Sequence, residues 1–193
     1  MNFDPLITNM NKHVRLNQDE IHLIKSKFTP YTLKRKEFLL QKGEICHKMS
    51  FVVQGCTRVY TIDTSGNEHI TMFGIEDWWI SDLTSFFSEK QARFYIDALT
   101  DTQLLQITKQ EFDLLLKQVP TLELWIRTLF LNALIASEKR IDQHLSMTAE
   151  ERFGEFQTKY PELDQRIPLK YIATYLGITP EFFSMLRKKW TNS

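Results

Sequence analysis

The sequence predicts an α+β protein with an N-terminal β-roll (a jelly roll), a long dimerisation helix and a C-terminal helix-turn-helix. Short β-rich runs separated by turn residues occupy residues 31–107, and a long apolar segment follows Pro120. Two short amphipathic segments then meet at Gly177. A chain of 193 residues is long enough for a full β-domain and a small helical appendage.

The composition describes a folded chain without net charge. Hydrophobic residues make up 42% of it, which is enough for a complete core. Its 24 Lys and Arg balance its 24 Asp and Glu, so any contact with nucleic acid must rest on a local basic patch. Cys46 and Cys56 have no CxxC spacing and are interpreted as reduced packing residues. Because no export signal or membrane span is present, we expect a cytoplasmic protein without membrane contact.

The β-roll is predicted by runs such as SFVVQGCTRVYTI, which are rich in β-branched and aromatic residues. Gly43 and Gly66 each stand between two such runs, where a hairpin loop requires positive φ. Residues 76–92 break the pattern and predict a short helix and loop, while residues 17–28 predict a helix ahead of the strands. Many short strands without alternating long helices indicate a sandwich or jelly roll.

Pro120 begins the long helix, which is apolar on more than one side. Each apolar side must therefore pack against another part of the protein or against a partner. We expect one face to pack on the β-domain and the other on the same helix of a second subunit, with Ala133 and Ala136 allowing close approach. A core helix without a partner is the alternative. Thr148, with Glu151 three positions on, predicts the cap of the next helix. The predicted dimer seam has 4-3-4-3-4 spacing and consists of Leu122, Ile126, Leu129, Ala133, Ala136 and Arg140.

Residues 167–190 contain the strongest local motif. An apolar helical face ends at Gly177, and Thr179, Pro180 and Glu181 then supply an N-cap, a first-turn proline and a first-turn acid for a second helix. This turn length is typical of a DNA-binding helix-turn-helix. An ordinary helical hairpin in a core is the alternative.

The second helix of this motif is predicted to have an inner and an outer face. The inner face consists of Phe183, Leu186 and Trp190. The outer face is expected to read bases, and the basic residues near its end are expected to contact phosphates. The predicted DNA-binding residues are Thr179, Pro180, Glu181, Ser184, Met185, Arg187, Lys188 and Lys189.

The KGE and SFVVQGCTRVYTIDTSGNE hairpins, the long helix and the terminal GITPEFFSMLRKK motif together resemble the CRP/FNR family of bacterial transcription regulators. The resemblance spans residues 20–190. It implies a cyclic nucleotide-binding-like sensor domain over residues 1–119, a dimerisation helix over 120–147 and a DNA-binding domain over 148–193. It also implies a homodimer that binds a palindromic operator in double-stranded DNA and contacts RNA polymerase.

The resemblance does not extend to the cyclic phosphate site. In the family's cAMP sensors, a GE-x-A/G-L segment and an R-S/T-A triplet bind the phosphate. Here the Gly-Glu pair is absent, and Arg93 is followed by Phe94 and Tyr95 instead of small residues. We therefore expect a small-molecule or cyclic-nucleotide-like effector other than classical cAMP. Its predicted pocket lies near Trp79, Ser81, Asp82, Arg93, Tyr95 and Trp125.

No cofactor or metal is predicted with certainty. The iron-sulfur branch of the family uses four cysteine ligands, and this chain has two cysteines. His47 and His69 could ligate a haem iron, but solvated or hydrogen-bonded loop residues are the favoured interpretation. Since GxSxG, Walker and HExxH motifs are absent, we expect no catalytic residues and no enzyme activity.

Two functional hypotheses remain. The first is a ligand-responsive transcription factor in which the effector shifts the dimer between DNA-binding and non-binding states. The second is a divergent small-molecule or protein-binding sensor that has lost sequence-specific DNA recognition. It is suggested by Met185 and Phe182, which stand where related recognition helices carry a basic and a small polar residue.

Overall fold

The computed structural model describes the backbone of residues 2–191 and the side chains of residues 2–189. Two helices, α1 (Asp4–Asn11) and α2 (Gln18–Lys27), precede the strands. The Asn17 side chain caps α2 by accepting a hydrogen bond from the Glu20 backbone N–H, and the Glu20 carboxylate accepts one from the Asn17 N–H. This reciprocal capping box explains why α2 begins where it does.

Within the described residues, eight strands form two four-stranded sheets, which confirms the predicted β-roll. The first sheet has the order β1-β8-β3-β6 and the second the order β2-β7-β4-β5. Gly43 and Gly66 have φ of +95° and +85°, as their turns require. A short helix, α3 (Leu83–Ser88), lies between β6 and β7 in the segment where strand alternation fails. The strands are β1 (Thr29–Leu33), β2 (Phe38–Leu40), β3 (Lys48–Gln54), β4 (Thr57–Ile62), β5 (Glu68–Gly74), β6 (Trp79–Ile80), β7 (Tyr95–Ala98) and β8 (Thr102–Thr108).

The core of the β-roll depends on β3 and β8, which pair antiparallel in the middle of the first sheet. Phe51 of β3 pairs with Leu105 of β8, and Val52 pairs with Leu104. All four side chains are buried. Both strands are mostly buried, and the polar Ser50 of β3 and Gln106 of β8 are buried among these apolar side chains.

Helices make up the rest of the chain. The 25-residue α5 is about 38 Å long at 1.5 Å per residue. The Thr148 hydroxyl and the Glu151 side chain form the predicted capping box at the start of α6. The helices after β8 are α4 (Lys109–Gln118), α5 (Leu122–Ser146), α6 (Ala149–Lys159), α7 (Leu163–Arg166), α8 (Leu169–Leu176) and α9 (Pro180–Thr191).

The chain folds into two compact units. The first unit comprises Met1–Tyr60 and Phe73–Leu131, and the second comprises Thr61–Met72 and Asn132–Ser193. The β4–β5 hairpin tip belongs to the second unit, where its backbone carbonyls accept hydrogen bonds from Arg140. The sequence-based division at residues 119 and 147 did not anticipate that the hairpin tip belongs to the second unit. That division stays a prediction.

A buried ion pair links β4 to β7 within the first unit. Arg58 and Asp97 are register partners, and the Arg58 guanidinium donates to both Asp97 carboxylate oxygens at 2.8 Å. The Tyr60 hydroxyl donates to the same carboxylate, and the guanidinium lies 4.0 Å from the centre of the Tyr60 ring. Both charged side chains are almost fully buried, so neither can exchange its partner for water.

We expect Asp97→Asn to lower the free energy of unfolding by about 3–5 kcal/mol, because it leaves the Arg58 charge buried without a counter-charge. Urea denaturation measures the change. The matched control is Asp101→Asn, since Asp101 pairs with Lys34 and both side chains are 64% exposed. That variant should lose less than about 1 kcal/mol. Equal losses in the two variants would contradict a special role for the buried pair.

Candidate functional site

The turn between α8 and α9 has the geometry that the sequence predicts. Gly177 ends α8 with φ of +70°, and its N–H donates to the Thr174 carbonyl at 3.2 Å. The Thr179 hydroxyl then accepts a hydrogen bond from the Phe182 N–H at 3.2 Å. A left-handed C-terminal residue followed by a hydroxyl N-cap produces a short, defined connection between two helices.

The inner face of α9 is held by a small aromatic core. Phe183 and Leu186 are buried, as predicted, and the Phe183 ring lies 5.1 Å from the Phe153 ring of α6 in an edge-to-face contact. Ala173 of α8 is fully buried, as a close helix crossing requires. The Trp190 side chain lies outside the described residues. α6, α8 and α9 therefore share one apolar centre.

The outer face of α9 is exposed along its length. Glu181, Ser184 and Lys188 follow i, i+3 and i+7 spacing on this face. The Ser184 hydroxyl donates to the Pro180 carbonyl at 2.9 Å, so this side chain presents its oxygen lone pairs outward as acceptors. The predicted DNA-binding residues that are exposed are Thr179, Pro180, Glu181, Ser184, Met185, Arg187, Lys188 and Lys189.

A cavity of about 250 Å³ lies between the two sheets of the β-roll, and we call it the β-roll cavity. Polar side chains converge on it from β3, β8 and the loop before β3. The Gln106 amide donates to the Ser50 hydroxyl at 3.1 Å, and both side chains are buried. The Cys46 sulfur lies 3.4 Å from the Ser81 hydroxyl. A concave site with a few convergent polar groups is typical of small-molecule binding.

Of the six predicted effector-pocket residues, Ser81 lines the β-roll cavity and the other five do not. Trp79 and Trp125 pack against each other with ring centres 5.0 Å apart, and Trp79 also contacts Phe51. The Trp79 indole donates to the Asn9 side chain at 2.9 Å. These two tryptophans are core residues of the first unit, because their ring faces are used for packing.

Asp82 and Arg93 are also used within the protein. One Asp82 carboxylate oxygen accepts from the Ser85 N–H at the start of α3, and the other accepts from the Arg93 N–H, both at 3.0 Å. The Arg93 side chain is exposed and lies over the Phe94 ring, while Tyr95 stacks on Tyr60 of β4. A buried carboxylate therefore already occupies backbone donors that a phosphate would require.

The sequence reasoning missed Ser50, Gln106 and Cys46 of the β-roll cavity. Ser50 and Gln106 interrupt the apolar runs of β3 and β8, and a buried polar residue in a central strand requires a hydrogen-bonding partner. That interruption was the available signal. It could not reveal that the two residues lie side by side, because their pairing depends on the register of strands far apart in sequence.

The predicted dimer seam on α5 stays a prediction: Ala133 and Ala136 are exposed, and Leu129 is half-buried. Leu122 and Ile126 are buried in the first unit, and Arg140 is half-buried, with its guanidinium donating to carbonyls of the second unit. These side chains are therefore not available to a partner. The apolar side chains of α5 that remain exposed are Leu124, Leu131, Leu134, Ile135, Ile141 and Leu145.

Comparison with known proteins agrees with this architecture. Residues 31–119 match the cyclic nucleotide-binding domain family. FixK2 from Bradyrhizobium japonicum superimposes with a TM-score of 0.74 at 19% identity, covering 86% of this chain and 85% of that one. A putative transcriptional regulator of the CRP/FNR family from Eubacterium rectale gives a TM-score of 0.70 at 17% identity, over 91% and 84% of the two chains. This chain has the CRP/FNR fold.

The predicted resemblance in fold is thereby confirmed, and residues 31–119 match the cyclic nucleotide-binding domain family. The c-di-GMP-responsive global regulator CLP from Xanthomonas campestris has the same fold, with a TM-score of 0.72 at 12% identity over 91% of this chain and 92% of that one. No curated protein sequence matches this chain. Among the described residues, no helix is long and apolar enough to cross a membrane.

We expect cAMP to leave the melting temperature unchanged up to millimolar concentration, because Asp82 already uses the N–H groups of Ser85 and Arg93. Thermal unfolding followed by circular dichroism measures this. A ligand at about 100 times its Kd adds about 2.7 kcal/mol to the free energy of unfolding, so micromolar binding could not pass unnoticed. A concentration-dependent rise in Tm would contradict the expectation.

Proposed function

We propose that this protein is a CRP/FNR-type transcription regulator that binds DNA as a homodimer and responds to a small molecule in its β-roll. The observation that carries the proposal is the helix pair α8–α9, whose second helix has a buried apolar face and a continuous exposed polar face. In this proposal the protein acts where the DNA is, inside the cell, and as a binding protein rather than an enzyme.

The outer face of α9 supplies the chemistry for reading DNA. An α-helix fits the major groove, where a Glu181 carboxylate can accept from a cytosine amino group and the Met185 side chain can contact a thymine methyl group. Lys188 adds positive charge near the end of the helix, where phosphates lie in this docking geometry. Because the face carries one acid and no arginine among its central residues, we infer a preference other than the usual arginine–guanine contact.

Dimerisation is supported by the exposed apolar residues of α5. Leu131, Leu134, Ile141 and Leu145 are separated by three, seven and four positions, which places them on one helix face. This spacing is that of a coiled-coil seam in which Glu138 occupies the intervening position. We propose that this stripe, which we call the α5 stripe, pairs with its copy in a second subunit.

The effector is proposed to bind in the β-roll cavity. The hydroxyl and amide groups of Ser50, Ser81 and Gln106 can both donate and accept hydrogen bonds, and the surrounding strands are apolar. Lys48, whose ammonium group lies 3.5 Å from the Gln106 side-chain oxygen, and Glu44 also line the cavity, so the lining offers a cation and a carboxylate to a small polar molecule. Binding would favour one state of the dimer over another.

Selection of genomic DNA fragments by the purified protein tests the function. We expect enrichment of a palindrome with half-sites about 34 Å apart, which is one helical turn. Recovery of no common sequence by a protein shown to be a folded dimer would overturn DNA recognition. It would favour the sensor hypothesis, which the exposure of Met185 and Phe182 on α9 supports.

Replacement of Lys188 by alanine should weaken binding to every DNA sequence to a similar extent. It should also lower the slope of log affinity against log salt by about 1, since one phosphate contact is lost. Fluorescence anisotropy at several salt concentrations measures both quantities. Lys117→Ala, an exposed lysine on α4, is the matched control and should leave the slope unchanged. Identical slopes for the two variants would remove Lys188 from the DNA interface.

Two neighbouring positions on α5 distinguish the α5 stripe from the seam predicted by sequence. Leu134→Glu should raise the dimer dissociation constant more than about tenfold, because it places a charge in an apolar interface. Ala133→Glu, at an exposed position of the sequence-predicted seam, should leave the dimer intact. Sedimentation velocity over a concentration series measures the two constants. The reverse outcome would restore the sequence-predicted seam.

A further inference from the structure

A second cavity, of about 260 Å³, lies within the second unit between the C-terminal half of α5, α6 and the end of α8. We call it the basic cavity, because five side chains that can carry positive charge line it. They come from two consecutive helices, α5 and α6. The five are Lys139, Arg140, His144, Arg152 and Lys159.

The charges of the basic cavity do not balance. Glu155 is the one carboxylate among the residues that line it. Its oxygen lies 2.5 Å from the Lys139 ammonium group and accepts a second hydrogen bond from the Gln143 amide. Apart from this Lys139–Glu155 pair, the lining contains two arginines and no further carboxylate, so net positive charge remains.

The two arginines are held in place by neutral acceptors. The Arg140 guanidinium donates to the carbonyls of Ile70 and Thr71 on the β4–β5 hairpin at 2.6 and 2.9 Å. It also lies 4.1 Å from the centre of the Tyr175 ring. Carbonyls and ring faces orient a guanidinium without cancelling its charge. Arg140 is therefore a fixed cation at the cavity.

Arg152 is fixed in the same way. Its guanidinium donates to the Leu176 carbonyl at the end of α8 at 3.1 Å and to the Met147 carbonyl at 2.6 Å. Arg152 is thus a second fixed cation, and it would attract an anion through its charge, because these N–H groups already donate to carbonyls.

Burial and the positive charges around the cavity lower the pKa values of two lining side chains. Burial lowers the pKa of Lys159, and the charges of Arg140 and Lys139 lower it further. Burial also lowers the pKa of His144, with the charges of Arg140 and Arg152 as additional causes. An anion in the cavity would offset these repulsions, because it would stabilise each positive charge around it.

We propose that the basic cavity binds a small, multiply charged phosphate, such as pyrophosphate or a phosphate monoester, at a site distinct from the β-roll cavity. The volume is slightly below the range of about 300–1,000 Å³ that is usual for drug-sized ligands, so a compact anion fits and a dinucleotide does not. The ligand would contact α5, α6 and α8 together and so stabilise their arrangement within the second unit. The proposal does not depend on DNA binding.

Calorimetric titration of the full-length chain with inorganic pyrophosphate, at constant ionic strength, tests the proposal. We expect saturable binding by the natural sequence and at least a tenfold weaker affinity in Lys159→Gln. Because Lys159 is half-buried, the largely exposed Lys139 supplies a second variant, Lys139→Gln, which should fold and also bind more weakly. Glu155→Gln should instead bind more tightly, since it removes the one carboxylate. Lys170→Gln, an exposed lysine of α8 outside the cavity, is the matched control and should bind unchanged.

The location of the pyrophosphate site is tested by nuclear magnetic resonance of the histidine rings during the same titration. The His144 signals should shift with pyrophosphate, whereas those of His47, which lines the β-roll cavity, should not. Absence of binding at millimolar pyrophosphate would overturn the proposal, and so would equal losses in Lys170→Gln and Lys159→Gln. If the cavity variants alter affinity only for DNA, the residues form part of a DNA backbone contact and no metabolite site exists.

Discussion

Helix α5 carries more apolar surface than one chain covers, and much of the structure depends on this constraint. Its inner face supplies Leu122, Trp125 and Ile126 to the core of the first unit. Its opposite face leaves Leu134 and Ile141 exposed, and contiguous apolar surface in water usually marks an interaction site. The proposed dimer follows from this imbalance. A two-fold pairing of α5 would bring two copies of α9 together, which is the arrangement that a palindromic operator requires.

The zero net charge of the chain conceals a local separation of charge. In the first unit, the Asp97 carboxylate is neutralised by Arg58, and the Asp82 carboxylate is satisfied by backbone N–H groups. In the second unit, Arg140 and Arg152 donate to carbonyl oxygens, so their charges remain available. The β-roll cavity, which both Glu44 and Lys48 line, is proposed to bind a polar molecule, and the basic cavity is proposed to bind an anion. A neutral total is no guide to either site, because electrostatic attraction depends on the charges nearby.

The parts of the site that sequence predicted well are those determined by neighbours in the chain. Thr179 caps α9, Gly177 adopts positive φ, and Phe183 lies on the inner face of α9, since each depends on residues a few positions away. Of the predicted effector-pocket residues, only Ser81 lines the β-roll cavity. Trp79 and Trp125 are adjacent because β6 and α5 pack together. No local sequence pattern indicates that these side chains pack in the core instead of lining a ligand pocket.

By itself, the sequence determined the fold class, the positions of the turns, the helix-turn-helix and the presence of two apolar faces on α5. Periodicity and capping are properties of a few consecutive residues, and they survive in any arrangement of the elements. Only the tertiary structure decided which face of α5 is covered by its own chain, and that Ser50 meets Gln106 in one cavity while Lys139 and Lys159 meet in another. These contacts join residues far apart in sequence, so they depend on strand register and helix packing, which the local pattern does not encode.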